Sequence, residues 1–363
     1  VRDREEAKRE AVLLKVVRMV APGSPLREGV DNVLRAKTGG LIVIGYDEEM
    51  RPLIDGGFSI DCEFSPSGLY ELAKMDGAII LSEDAKRILY ANAQLNPDPS
   101  LPTRETGTRH RAAERTARQT NRLVVCVSER RNVITLYQGN FRYALKDLTT
   151  IVAKANQAIQ TLERYKTVLD AGLANLSALE MDELATLQEV VSVLQQFEMV
   201  MRIRAEIKRY ITELGSEGRL VAMQLQELVT RLDEEAYLLI KDYTAYGFAC
   251  NPHQILLDLH EFDAEELLHA QAVVGVLGYS GEINLAETAV SSRGHRILHK
   301  IPRLPEPVIE NLSEEFVTLG RIVSASEEEL DEVEGIGAVR AHKIKDGLKR
   351  MHQQAYRERN LYS

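Results

Sequence analysis

The stretch Gly39-Gly40-Leu41-Ile42-Val43-Ile44-Gly45-Tyr46 is a short β-branched run bounded by glycines, and it reads as a buried strand. Upstream, residues 5–20 have the spacing of an amphipathic helix, with Val12, Val16 and Met19 on one side. It ends at Ala21-Pro22-Gly23, and a second helix is predicted from about Pro25 to Ala36. Downstream, Asp55-Gly56-Gly57-Phe58 marks a turn and Ser67 to Met75 a further helix. Asp76-Gly77-Ala78 then leads into a second buried strand, Ile79-Ile80-Leu81-Ser82. The segment Asn96-Pro97-Asp98-Pro99-Ser100-Leu101-Pro102 suits neither a helix nor a central strand. The alanine-rich run after it, to Gln119, reads as a helix. Leu123 to Ser128 and Val133 to Tyr137 add two strands around the charged turn Glu129-Arg130-Arg131-Asn132. Helices and strands alternate to about residue 145, which predicts an α/β domain.

After Asp147 proline disappears until Pro252, and apolar residues fall three and four apart. Leu187, Val190, Leu194, Phe197 and Met201 form one stripe, and Val221, Leu225, Leu228 and Leu232 another. Such stripes predict a structural helical bundle, broken at Gly215-Ser216-Glu217-Gly218. A third segment opens near Ser291, with Ile301-Pro302-Arg303-Leu304-Pro305-Glu306-Pro307 as a stiff connector. From Arg293 to Glu334 there are 5 Lys/Arg against 10 Asp/Glu, and from Gly335 onward 7 against 2. The basic charge begins at a pair of glycines.

Composition sets bounds. The chain has 363 residues, room for two or three domains, and its net charge of −10 confines any nucleic-acid contact to a local patch. Cys62, Cys126 and Cys250 are far apart and odd in number, as expected of a reduced, cytosolic chain. The charged start (Arg2, Asp3, Arg4, Glu5, Glu6) is unlike a signal peptide, and no run approaches membrane-spanning length. A cytoplasmic protein is expected. No P-loop, dinucleotide fingerprint, CxxC, HExxH or Ser/His/Asp order is present.

Four stretches carry chemistry. Thr106-Gly107-Thr108-Arg109-His110-Arg111 places hydroxyls, arginines and a histidine where a loop enters a helix. Unpaired backbone N–H groups and the helix dipole favour a phosphate there. The alternative is a solvated helix start with Glu105 and Glu114 as ion-pair partners; His110 by itself fits a metal ligand, a phosphate donor or a packed histidine. Asp76-Gly77-Ala78 offers a carboxylate for a metal and a glycine that lets a phosphate or sugar approach the backbone, though Asp-Gly is also a common turn. Ser128 ends a strand beside Arg130 and Arg131, at a strand C-terminus of the kind where open α/β sheets bind ligands. Val333-Glu334-Gly335-Ile336-Gly337-Ala338-Val339-Arg340-Ala341 has the form of a helix-hairpin-helix. In that form Gly335 and Gly337 turn backbone amides toward a DNA phosphate, with Arg340, Lys343 and Lys345 adding cations. A glycine-capped helix pair used only for assembly is the other reading.

With these motifs in this order, the chain resembles the DisA family of diadenylate cyclases over essentially its full length. The resemblance implies a cyclase domain at 1–146, with a mixed sheet flanked by helices. It further implies a helical linker at 147–290 and a helix-hairpin-helix DNA-binding domain at 291–363. It implies conversion of two ATP into cyclic di-AMP and two pyrophosphates, in an octamer whose cyclase domains meet face to face. On this mapping Asp76 coordinates Mg²⁺ or Mn²⁺, and Gly77 and Ala78 line the sugar–phosphate path. Thr108, Arg109, His110 and Ser128 contact the triphosphate, with Arg111 and Arg130 beside them, and Leu95 touches the adenine. Asp76, Arg109 and His110 are the expected catalytic set. Branched DNA on the hairpin is expected to lower cyclase output, in a cytoplasmic, nucleoid-associated protein. Ala112 stands where members often carry Thr, removing a hydroxyl, and Glu129 where some carry Arg. Two other functions fit the sequence: a DNA-binding scaffold that senses nucleotide without turnover, and a junction-binding protein with a structural N-terminal domain.

Overall fold

The computed structural model describes residues 12–249 and 251–362. The described residues up to Gln157, together with Ile207–Met223, form one compact unit; Ala158–Glu206 and the residues from Gln224 onward form the other. The boundaries between these units fall inside helices. Of the helix expected over 5–20, residues 12–19 are helical, and the earlier part lies outside the described residues, as does Cys250.

The first unit is built on a mixed sheet of eight strands: β1 (Gly40–Ile44), β2 (Ile54–Asp55), β3 (Phe58–Glu63), β4 (Ala78–Leu81), β5 (Arg87–Leu95), β6 (Leu123–Ser128), β7 (Val133–Gln138) and β8 (Phe141–Ala144). The order is β2-β5-β4-β1-β6-β7-β8, with β3 also pairing with β5. Only β1 and β4 are parallel (Ile42 opposite Ile79); the other pairs, among them β1–β6 and β4–β5, are antiparallel.

The middle strands lack polar alternation because both faces are covered. On one side Ile42, Ile44, Ile79, Leu81, Val125 and Val127 share a core with Val30 and Val33 of the helix Pro25–Arg35 and Leu69 of the helix Pro66–Leu72. On the other, Leu41, Val43, Ile80, Val124 and Cys126 pack with Ala113 and Ala117 of the helix Thr108–Thr120. Two helices open identically: Ser24 and Ser65 accept a hydrogen bond from the backbone of the first turn, with proline at the next position, where its missing N–H costs nothing.

Four strands escape the sequence pattern. β2 is only two residues long, β3 is largely exposed, β8 is a half-buried piece of four residues at the sheet edge, and β5 is interrupted by polar residues. Asn92 in β5 has φ of 53°, and the register against β4 shifts around it, so the buried side of the strand changes along its length.

The other unit is helical. The long helices Leu148–Met181 and Leu187–Leu214 run through both units. Near the end of the chain Glu327–Asp331, a turn through Gly335, and the helix Ala338–Tyr362 form a hairpin, packed on a core that includes Ile309, Leu330, Val333, Ile336, Ala341 and Ile344. Within this unit a buried ion pair joins Arg296 to Glu180, and Asp242 accepts backbone N–H groups of His295 and Arg296 at 2.7 and 3.0 Å.

Because Ile80 is fully buried at the sheet centre, Ile80→Ala should lower the stability of the first unit by about 3 kcal/mol. Chemical denaturation followed by circular dichroism would measure the shift.

Candidate nucleotide site and hairpin face

A cleft of about 1110 Å³ opens where β1 and β4 begin and β5 and β6 end. Its lining includes Asp76, Gly77, Ala78, Leu95, Thr108, Arg109, His110, Ser128, Arg130 and Arg131, so three motifs distant in sequence meet in one cavity. Ser128 sits at a strand C-terminus, but the parallel pair presents its amino ends. The ligand-end rule for parallel sheets therefore does not place this cleft; the helix Thr108–Thr120 does. That helix starts at Gly107, which offers no side-chain cap, and the first backbone bond closing the turn is from Arg111 N–H to Gly107. The amides of Thr108, Arg109 and His110 are left for an anion.

The ion-pair alternative for this cluster does not occur. Glu114 is buried, accepting from Thr103 Oγ1 at 2.6 Å and pairing with Arg118 at 2.7 Å. Glu105 pairs with Arg142 at 2.7 Å. Among the described residues Arg109 has no carboxylate partner, and its guanidinium carbon lies 3.2 Å from where a Cβ on Gly39 would stand. Arg115 donates to the Leu101 carbonyl at 2.9 Å and fastens the proline-rich loop. Arg111 is exposed and turned away from the cleft lining, because each step along a helix rotates the side chain by about 100°.

Asp76 is exposed and, among the described residues, makes no hydrogen bond or ion pair, leaving its carboxylate available. Gly77 is required by close approach: an added Cβ would lie 2.7 Å from the Ala93 nitrogen. Gly57 meets the same strand from elsewhere, its imagined Cβ 2.8 Å from the Ala91 carbonyl. The bulged Asn92 is thus held between two glycine approaches, and Asn92, Gln94 and Asp55 line the cleft, where sequence reading gave them no role. For β5 the signal was present as the alternation Ala91, Ala93, Leu95. Ala112 and Glu129 also line the cleft.

His110 Nδ1 lies 2.9 Å from the Tyr137 hydroxyl, which donates to Glu105 Oε1 at 2.9 Å. Burial works against the Glu105 charge, but bonds from Arg142 and Tyr137 outweigh it, and the carboxyl lies below its ordinary range. Burial together with Arg131, Arg142 and Arg109 holds His110 below the ordinary imidazole range, against the pull of Glu105.

The hairpin forms a second hollow of about 450 Å³, lined by Arg303, Gly337, Arg340 and Lys343 among others. Arg340 bonds the Gly335 carbonyl, closing the turn, and Lys343 is exposed. Lys345, expected beside them, instead donates to the carbonyls of Val323 and Ala325 at 2.7 and 2.6 Å. Its ammonium caps the helix Leu319–Ser324. Arg303, from the proline-rich connector, joins the set that sequence reading had left to Lys345.

A helix end open to anions over a mixed sheet, in a cleft with a free carboxylate, defines a nucleotide-binding domain. Residues 27–141 match the nucleotide-binding domain of the DisA bacterial checkpoint controllers, and residues 145–286 match their linker region. The DNA integrity scanning protein DisA of Bacillus pumilus is 55% identical over 353 residues, covering 97% of this chain and 98% of its own. That of Carboxydothermus hydrogenoformans is 56% identical over 347 residues (96% and 98%), and that of Bacillus subtilis 54% over 360 (99% of each). The chain belongs to the DisA family, and it is a diadenylate cyclase. Among the described residues no helix is long and apolar enough to cross a membrane.

Gly77→Ala should destabilise the β4–β5 pairing by about 1–3 kcal/mol and weaken nucleotide binding as the Ala93 backbone is pushed aside. Thermal unfolding with and without ATP would read both effects.

Proposed function

We propose that each cleft holds one ATP and that two clefts from separate subunits face each other to make cyclic di-AMP. The observation that carries the reading is the convergence of Asp76-Gly77-Ala78, Thr108-Arg109-His110 and Ser128-Arg130 on one cavity. Each ribose 3′-oxygen attacks the α-phosphorus of the opposite ATP. The bond to the bridging β-phosphate oxygen breaks, pyrophosphate leaves, and the hydroxyl proton passes to solvent. Arg109, Arg130 and Arg131 neutralise the leaving pyrophosphate, and the free amides of the helix hold a phosphate oxygen. Leu95 packs against the adenine, and Gly77 lets the sugar lie close to the backbone. Positioning does most of the work, because two bound nucleotides react as if within one molecule.

The residues present suit a divalent ion. Asp76 is unpaired among the described residues, and Asp55 lines the same cleft. This is the sparse protein contribution that Mg²⁺ or Mn²⁺ takes when phosphate oxygens and water supply the rest. When bound, the ion neutralises phosphate charge and lowers the pKa of the attacking hydroxyl.

At the hairpin we propose a sequence-independent contact to DNA phosphates through Arg303, Gly337, Arg340 and Lys343, with branched DNA lowering cyclase output. A homo-octamer of cytoplasmic, nucleoid-associated protein completes the proposal. Ala112 and Glu129, which line the cleft, give it one hydroxyl fewer and one negative charge more, and so bear on the rate of turnover.

Mass spectrometry of the protein incubated with ATP and Mn²⁺ should detect cyclic di-AMP, and Asp76→Asn should reduce it by at least ~10²-fold. Absence of product from the unaltered protein would sink the cyclase reading. For DNA, Lys343→Gln should reduce the salt dependence of binding by about one charge. Lys345→Gln should leave that dependence unchanged and lower the unfolding midpoint.

A further inference from the structure

The contacts behind His110 define its protonation more closely than its place in the cleft does. The Tyr137 phenol has one proton, and it points to Glu105 Oε1, 2.9 Å away. Toward His110 the phenol oxygen can therefore only accept, so the proton of the neutral ring sits on Nδ1. Arg142 Nε donates to the same Glu105 oxygen at 2.7 Å and fixes that carboxylate. Tyr137 is 1% exposed and the Glu105 side chain 7%, so water has little access to the bond between them, whereas Arg142 reaches Glu105 from a half-exposed position. The other ring nitrogen, Nε2, is buried and has no hydrogen-bond partner.

A bare Nε2 is an acceptor, and so is every phosphate oxygen. The two repel unless a proton comes between them. Once Nε2 is protonated the ring donates on both sides: Nδ1–H to Tyr137 and Nε2–H to the phosphate. The new positive charge then has Glu105 as its counter-charge, one phenol away. The groups that face the ring are Glu105 from the loop before the helix, Arg109 from its own helix, Tyr137 from β7, Arg142 from β8 and Arg131 from the β6–β7 turn. The three arginines disfavour an imidazolium in the empty cleft, and an entering triphosphate offsets them.

We infer that Glu105, Tyr137 and Arg142 are positioning residues that hold His110 to take up a proton at Nε2 as a triphosphate enters, so that nucleotide binding and protonation are one event. The inference rests on the reading that the cleft binds ATP. The sign follows from linkage: the ring is neutral when the cleft is empty and charged when it is filled. Affinity falls as pH rises through the range between the two states, and levels off at acid pH where the ring is protonated in both.

The test is calorimetry of the full chain with Mn²⁺ and 3′-deoxyATP, which cannot cyclise, in buffers of different ionisation enthalpy near pH 7.5. The unaltered protein should take up about one proton per site. His110→Gln should abolish the uptake. Tyr137→Phe and Glu105→Gln keep the shape of the chain but break the link to the buried charge. Each should lower affinity near pH 7.5 by about tenfold and lose most of the uptake, and the gap should close toward pH 5.5. Glu105→Gln serves if the core substitution at Tyr137 perturbs folding. Uptake that persists in His110→Gln belongs to the nucleotide and overturns the inference, as do wild-type pH profiles in both relay variants. If the unaltered protein binds no nucleotide, the ATP reading itself fails, and the relay with it.

Discussion

Close packing of the helix Thr108–Thr120 on the sheet is the constraint from which the cleft follows. Ala113 and Ala117 are fully buried among Val43, Ile80, Val124 and Cys126, and side chains this small let the helix lie close to the strands. Its first turn thereby meets the sheet margin where β1 and β4 begin and β6 ends. The charges near it are kept from cancelling. Glu114 is drawn under the helix to Arg118 and the Thr103 loop, and Glu105 is drawn to Tyr137 and Arg142. Had either carboxylate reached Arg109, the dipole and the guanidinium would have been neutralised before any ligand came. Positive potential survives here because its natural quenchers are engaged elsewhere.

How much of this was legible depends on how local each feature is. β1, β4 and β6 announce themselves as unbroken apolar runs, and the helix Pro25–Arg35 through its Ser24-Pro25 entry. The helix expected over Ser67 to Met75 lies instead at Pro66–Leu72, since the same Ser-Pro entry at Ser65-Pro66 starts it earlier. β5 was missed because Asn92 at positive φ shifts its register, so no single period of two runs through Arg87–Leu95. The cleft motifs were readable because each is a short string with its own chemistry. The Glu105–Tyr137–Arg142 chain was not, since its members stand 32 and 37 residues apart and meet only through the pairing of β7 with β8 and the loop before the helix.

The terminal hairpin makes the same point with charge. The switch to basic composition at Gly335 is visible in the sequence, but which cations face outward is not. Lys343 and Lys345 are two residues apart on one helix, about 200° around its axis, and so cannot share a face. One is exposed while the other closes the end of a neighbouring helix. Arg303 reaches the hollow from a connector that looks like nothing more than a stiff spacer. A count of basic residues includes one that does not line the hollow and omits one that does.

The position of β1 bears on how the domain assembles. β6, β7 and β8 form a meander of near neighbours in sequence, which closes with little loss of chain entropy. β1 has no such neighbour: its partners are β4 and β6, so Ile42 must find Ile79 on one side and Val125 on the other. Pairings this distant in sequence cost more chain entropy to close than the meander does. The cleft stands where those costly pairings meet, at the first residues of β1 and β4 and the last of β6. It cannot be half built while the sheet is incomplete. A ligand seated there therefore selects the finished domain, and its binding energy stabilises the closed sheet as a whole rather than a surface loop.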